Sequence, residues 1–205
     1  MRSFPKARID ALTDGIFAFA MTLLVLDLRL PPEVAIKDGA ELIVRLRELG
    51  PSYLVYVISF FVLAAQWRAE IELRRVEEVS PAALTWSIVH LFFVTSVPFS
   101  SSIVGRHGDL APAVWLYAAN MILVAAVSLR LRALEVVAEH RAKARAGNIG
   151  TFVFIASALL SVALTFLMPR HAMYAYLLNF ASGPLARLGG GGHERRDIPP
   201  RQPRE

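Results

Sequence analysis

The sequence predicts an all-α membrane protein with six transmembrane helices per subunit. Its 205 residues are 55% hydrophobic, and the apolar residues lie in long blocks separated by short charged segments. A helix needs about 20 predominantly apolar residues to cross a bilayer. Because lipid offers no hydrogen bonds, each crossing segment must satisfy its own backbone, as a helix does. The block pattern therefore favours a polytopic helical protein over a soluble globular domain.

Six apolar blocks are candidate spans, at residues 11–28, 51–67, 82–104, 111–129, 149–168 and 172–188. The first five have the length and apolarity of a span. The sixth is short and contains Asn179, Gly183 and Pro184, which makes it the weakest of the set. We expect residues 1–188 to form one membrane domain. The basic tail 189–205, rich in glycine, proline and charge, is expected to be disordered.

The positive charges predict how the chain is oriented, because they collect on the cytoplasmic side of membrane proteins. With the N-terminus inside, most of the 22 basic residues fall in inner segments, and the outer loops hold only Arg29, Lys37, Arg45, Arg47, Arg106 and Arg170. Both termini are therefore expected in the cytoplasm, with the protein in the cell inner membrane or plasma membrane. Between the first two spans, "GAELIVRLREL" has the apolar spacing of a short amphipathic helix at the outer surface.

The composition and the motifs favour neither catalysis nor nucleic-acid binding. The chain has no cysteine, which excludes disulfides and thiolate metal sites, and neither G-x-S-x-G nor H-E-x-x-H occurs. The hydroxyl cluster "TSVPFSSS" at 95–102 is interpreted as satisfying carbonyls freed by Pro98. The net charge of +5 is explained by orientation in a membrane. We therefore expect no enzyme activity, no cofactor, no bound metal and no nucleic-acid partner.

The basic segment "RAKARAG" at 141–147 is expected to contact anionic membrane lipids.

The first helix carries a stripe on one face when drawn with about 100° per residue. The stripe consists of Leu12, Gly15, Phe19, Thr22, Leu23 and Leu26. Asp14 lies on the opposite side, toward neighbouring helices, where a carboxylate in lipid needs a donor. Periodicity alone leaves two interpretations open for the stripe, helix packing and pore lining. Asp14 with Arg8 is equally compatible with a purely structural hydrogen-bond cluster.

The segment "RIDALTDGIFAFAMTLLVLDLRLP" at residues 8–31 resembles the signature of the transmembrane protein 175 family, the lysosomal potassium channel and its bacterial relatives. The family pattern R-x-x-x-F-S-D matches at Arg8 and Asp14, with Leu12 and Thr13 in place of Phe and Ser. The run T-L-L-V-L follows at residues 22–26. Two motifs of later helices also fit: a tryptophan near the end of the second, Trp67, and a P-F-S element in the third, Pro98-Phe99-Ser100.

The resemblance implies a homotetrameric channel that passes potassium and related monovalent cations through a pore lined by helix one. By position in the motif, Phe19 is implied as the pore constriction, Thr22 as the selectivity layer, and Leu23 and Leu26 as further apolar layers. No T-V-G-Y-G loop occurs, so selectivity by such a carbonyl filter is not expected. The resemblance thus implies potassium as the permeant ion rather than as a cofactor.

The signature residues Arg8, Thr13 and Asp14 are implied to form a structural network. We expect Asp14 to accept hydrogen bonds from Arg8 and from other helices, and so to orient helix one rather than bind ions. His90, in the middle of the third block, is either a neutral histidine hydrogen-bonded between helices or a pH-sensitive element. The histidines that the family has just after the tryptophan of the second helix are missing, and Glu70 and Ile71 stand there.

Two other classes of function remain compatible with the sequence. A proton-coupled secondary transporter would use Asp14 or His90 as its proton site, although no inverted repeat is apparent. A non-conducting membrane scaffold would keep the fold and pass no ions, and the bulk of Phe19 is compatible with it. If the protein is a channel, the sequence is also compatible with permeation of protons alongside potassium.

Overall fold

The computed structural model describes residues 4–30, 36–73, 78–135 and 141–179. In these ranges the helices are α1 Lys6–Leu23, α2 Gly39–Glu48, α3 Gly50–Leu73, α4 Pro81–Thr95, α5 Val97–His107, α6 Ala111–Glu135 and α7 Arg141–Leu164. Two 3-10 segments are also present: Leu24–Asp27 directly follows α1, and Pro169–Leu177 follows α7 after a turn. Two short strands, β1 Phe4–Pro5 and β2 Glu78–Val79, pair antiparallel, with Phe4 opposite Val79.

Four of the predicted spans are confirmed as helices long and apolar enough to cross a membrane. They are Lys6–Asp27, Gly50–Ile71, Pro81–His107 and Ala111–Leu134. The fifth predicted span falls in α7, whose apolar part, Gly150–Leu164, is shorter than a full crossing. The sixth begins as the 3-10 segment Pro169–Leu177, and both its remainder, 180–188, and the tail 189–205 lie outside the described residues. The predicted count of six helices therefore remains a prediction.

The third predicted span is not one continuous helix but two, α4 and α5, separated by a turn at Ser96. Pro98 has no amide hydrogen, so it cannot donate to the carbonyl four residues back. The hydroxyls of Thr95 and Ser96 both donate to the carbonyl of Phe92, at 2.8 and 2.9 Å. The carbonyl of Phe92 also accepts from the amide of Ser96, and the carbonyl four residues before Pro98 is that of Val94. These two hydroxyls therefore do not satisfy the carbonyl that Pro98 leaves without a donor, and for them the prediction is wrong.

The first helix also departs from its predicted limits, 11–28. It begins at Lys6, directly after Pro5, and an ion pair one turn apart joins Lys6 to Asp10. At Leu24 the α-helix tightens into a 3-10 segment that ends at Asp27. The predicted amphipathic helix is present as α2, where Asp38 caps the N-terminus by accepting from the amide of Glu41 at 2.8 Å.

The core lies where α1, α3, α4, α5, α6 and α7 meet, and it is held by polar contacts as well as apolar packing. The hydroxyl of Ser59 on α3 lies 2.9 Å from that of Tyr117 on α6 and 3.1 Å from that of Ser101 on α5. Asn120 on α6 donates to Ser100 at 3.1 Å. In lipid, helices gain little from apolar burial alone, so such interhelical bonds specify which faces meet.

Candidate pore-lining face of the first helix

Helix α1 buries one side against the rest of the chain and exposes the other. The buried side consists of Ile9, Thr13, Phe17, Ala20 and, in the 3-10 segment, Leu24. These residues recur at three- and four-residue intervals, so they form one face of a 3.6-residue helix. Helix one is thereby fixed against α3 and α4 along its length.

The predicted stripe lies on the exposed side. Phe19 and Leu26 are 63% and 64% exposed, Leu12, Gly15 and Thr22 are also exposed, and Leu23 is half-buried. Large apolar side chains in such a continuous row are available for contact with lipid or with other subunits. Apart from the half-buried Leu23, the stripe is thus separate from the face that packs inside the chain.

The hydroxyl of Thr22 has a defined orientation on this exposed side. Its Oγ1 donates a hydrogen bond to the carbonyl of Phe19, one turn earlier, at 2.8 Å. A hydroxyl has one donor hydrogen and two acceptor lone pairs. Since the hydrogen is engaged by the backbone, the lone pairs remain available, and an oxygen presented in this way can coordinate a cation.

Asp14 has a donor on a neighbouring helix, as its position on the wheel predicts. The indole Nε1 of Trp67 on α3 donates to Asp14 Oδ1 at 2.8 Å. Within the described part of the chain, Arg8 makes no hydrogen bond to Asp14. The physical reason is spacing: six residues turn a helix by about 600°, which leaves the two side chains on different faces.

A second polar contact lies beside the buried side of helix one. His90 Nδ1 on α4 is 2.9 Å from Glu70 Oε1 on α3, and the imidazole ring lies 6.0 Å from the ring of Phe17. Arg132 on α6 is close enough to Glu70 for an electrostatic interaction and donates to Thr151 on α7 at 3.1 Å. His90 is therefore bonded between helices, and its predicted pH sensitivity remains a prediction.

Sequence reasoning missed the contacts of Asp27, at the end of the 3-10 segment that follows helix one. Asp27 Oδ1 accepts from Ser102 Oγ at 2.7 Å and from Arg106 Nη2 at 3.0 Å, both on α5. An acidic residue at the edge of an apolar run was the available signal, together with an arginine at the same end of another span. In the part of the chain that the structure describes, no group of three or more His, Cys, Asp and Glu side chains could hold a metal ion.

Apolar helices long enough to cross a membrane, packed through interhelical hydrogen bonds, define a multi-pass α-helical membrane protein. Residues 8–98 match the family model described as "Endosomal/lysosomal potassium channel TMEM175". This part of the chain is therefore similar to the TMEM175 family.

Relatives in bacteria and vertebrates share parts of the sequence. A potassium channel of Chamaesiphon minutus is 33% identical over 128 residues, covering 60% of this chain and 63% of the relative. A potassium channel of Streptomyces collinus is 32% identical over 104 residues, covering 50% and 48%. The endosomal/lysosomal proton channel TMEM175 of Gallus gallus is 39% identical over 67 residues, covering 30% and 13%. The matches thus span about half to three-fifths of the bacterial relatives and a smaller part of the vertebrate one.

Solved structures extend the likeness along the chain. The crystal structure of a lysosomal potassium-selective channel TMEM175 homolog from Chamaesiphon minutus superposes with a TM-score of 0.73 at 27% identity, covering 88% of this chain and 97% of that one. The potassium channel MtTMEM175, in complex with a nanobody fusion protein, superposes with a TM-score of 0.53 at 15% identity, which shows likeness of fold alone.

Proposed function

We propose that the protein is a passive, potassium-preferring monovalent cation channel that assembles as a homotetramer in the plasma membrane, with both termini cytoplasmic. The observation that carries the proposal is the division of helix one into a buried face and an exposed stripe. The bacterial relatives are named as potassium channels, and in such a channel the stripe would line the pore.

Ions would pass along the stripe when four copies of helix one surround an axis. Phe19 would form an apolar ring that controls passage by width and dewetting. Thr22, one turn further along, would present four hydroxyl oxygens whose hydrogens are already engaged by Phe19 carbonyls. Such oxygens can replace part of an ion's hydration shell, and potassium gives up its hydration more readily than sodium. Leu23 and Leu26 would continue the apolar lining outward.

The opposite face of helix one would carry the support for this lining. Phe17 and its buried neighbours pack inside the subunit. The hydrogen bond from Trp67 to Asp14 holds helix one against α3 at a position outside both the buried face and the stripe. In this proposal Asp14 is a positioning residue that sets how helix one meets the axis, and Thr13 belongs to the same buried support. Arg8, which is exposed and lies on another face, is assigned no direct contact with Asp14.

Potassium flux from proteoliposomes tests the proposal, with valinomycin and a proton ionophore as controls for loading and for charge compensation. Phe19→Ala should raise passive flux, because the ring loses its bulk. The matched control is Phe92→Ala, since Phe92 is 64% exposed but lies on α4 rather than on helix one. Wild-type flux that rises in Phe19→Ala and not in Phe92→Ala supports a pore at Phe19. No flux in either wild type or Phe19→Ala, from folded tetramers, would refute the channel and favour a scaffold.

Proton-coupled transport is the second candidate, and the buried pair His90–Glu70 is the observation that favours it. A transporter would show saturable potassium flux that follows an imposed pH gradient and stops in His90→Gln. A channel would instead keep its flux without a pH gradient, and the flux would follow the potassium gradient alone. The same liposomes, loaded at matched and mismatched pH, distinguish the two mechanisms.

A further inference from the structure

Asp27 is the first charged residue beyond the apolar stretch of helix one. Residues 15–26 contain no Asp, Glu, Lys or Arg, so Asp14 and Asp27 delimit an uncharged run. Asp27 directly follows Leu26, which is exposed on the proposed lining face. An ion that leaves the apolar layers on the outer side would therefore meet this carboxylate before any other charge on the lining helix.

The carboxylate is held in place but only partly neutralised. Ser102 Oγ and Arg106 Nη2 both donate to the same oxygen, Oδ1, at 2.7 and 3.0 Å. Oδ2 accepts no hydrogen bond from any residue that the structure describes. The side chains of Asp27 and Arg106 are 28% and 48% exposed, so solvent screens their attraction.

We propose that Asp27 is a conductance-determining residue that concentrates potassium at the outer entrance, and that Arg106 sets the strength of its field. The inference rests on the proposed channel function, which places four copies of Asp27 around the axis. Rings of acidic side chains are a general means by which cation pathways attract their ions. Arg106 brings a positive charge beside each carboxylate, and Ser102 fixes the carboxylate without adding charge.

A purely structural role for the same contacts gives a different prediction. In a structural role, Asp27 would only hold the end of helix one against α5. Its replacement would then lower the conductance by the same factor at every salt concentration. As a source of field, its effect must disappear when salt screens it. The Debye length falls from about 30 Å at 0.01 M to about 3 Å at 1 M ionic strength. The dependence on salt therefore separates the two roles.

The experiment measures potassium conductance of the full chain in planar bilayers, at about 10 mM and at about 1 M KCl. At low salt, Asp27→Asn should lower outer-side entry about twofold or more, and Arg106→Gln should raise it by a similar factor, as for electrostatically steered entry. Both effects should vanish at high salt. Controls for charge alone are Asp109→Asn and Arg47→Gln, at exposed positions predicted to lie on the outer side.

Each outcome decides the inference. Changes in opposite directions at low salt, absent from the controls, support it. A loss in Asp27→Asn that is equal at both salt concentrations, or no change in either variant, overturns it. If Asp27→Asn does not assemble, Arg106→Gln still tests the field, because it leaves the carboxylate in place. Absence of wild-type conductance at every salt concentration would instead refute the channel itself.

Discussion

His90 Nδ1 lies 2.9 Å from Glu70 Oε1, and the two side chains are 1% and 7% exposed. The pair joins α4 to α3, and the contact of the imidazole with Phe17 extends it to helix one. Polar and ionisable side chains within a membrane are costly unless they are paired. Glu70 and His90 thus form one buried polar contact that joins α3 to α4 beside helix one.

Replacing either member of this pair should destabilise the fold. His90→Leu and Glu70→Leu are each expected to lose about 1–3 kcal/mol, because a buried polar group loses its partner. Glu70→Leu should lose more, since the Coulomb attraction to Arg132 is also removed. The measurement is thermal unfolding in detergent, with the exposed His171→Leu as control. The double variant should lose less than the sum of the singles, and strict additivity would contradict an energetic coupling between the two residues.

Asp14→Asn and Trp67→Phe should produce the same defect, because each weakens or removes the one bond that joins them. A hydrogen bond to a charged group contributes about 1.5–3 kcal/mol, and less where solvent reaches it. We expect fewer assembled tetramers or altered gating, with the ratio of potassium to sodium permeability unchanged. Size-exclusion chromatography and bi-ionic reversal potentials check this, and Asp109→Asn provides the control. A collapse of selectivity in intact Asp14→Asn tetramers would show that Asp14 acts on the ion directly.

Thr22→Val should lower the potassium-to-sodium permeability ratio, whereas Thr22→Ser should retain most of it. Valine has nearly the same shape but removes the oxygen that the proposed layer needs, and serine restores it. Thr95→Val is the matched control, because Thr95 is also exposed and its hydroxyl also bonds to a carbonyl three residues earlier at 2.8 Å. Reversal potentials under bi-ionic conditions measure the ratio. Equal effects at residues 22 and 95 would point to helix distortion instead of ion coordination.

Tyr117→Phe should slightly lower the stability of the fold without affecting permeation. The change removes one hydroxyl from the cluster of Ser59, Ser101 and Tyr117, and interhelical bonds of this kind contribute about 0.6 kcal/mol on average in membranes. Thermal unfolding should shift downward slightly, with the exposed Tyr174→Phe unchanged. A loss several times larger would mean that the hydroxyl also organises the surrounding packing.

The sequence predicts well those features that depend on one helix at a time. Hydropathy locates four of the spans, and the helical wheel places the exposed stripe, because both follow from local periodicity. The break at Ser96 could not be located from hydropathy, because the apolar run continues through it. The 3-10 conformation of Pro169–Leu177, where the last predicted span begins, could not be predicted from composition alone.

Partners across helices could be predicted only in part. The need of Asp14 for a donor was predictable from the cost of its charge in lipid, whereas the donor Trp67 is 53 residues away in the chain. The pairs of Glu70 with His90 and of Asp27 with Arg106 depend on the relative rotation and height of separate helices. Those are set by tertiary packing, and no single-helix pattern contains them.

Phe17 and Phe19 are two residues apart on one helix, yet they are subject to different requirements. Phe17 is completely buried among the other helices of the chain, so a change there is a change in folding. Phe19 projects from the same helix without a place in that interior, so its size can vary while the subunit keeps its stability. A lineage can therefore adjust the exposed side by single substitutions, one residue at a time, on a scaffold that does not have to be rebuilt.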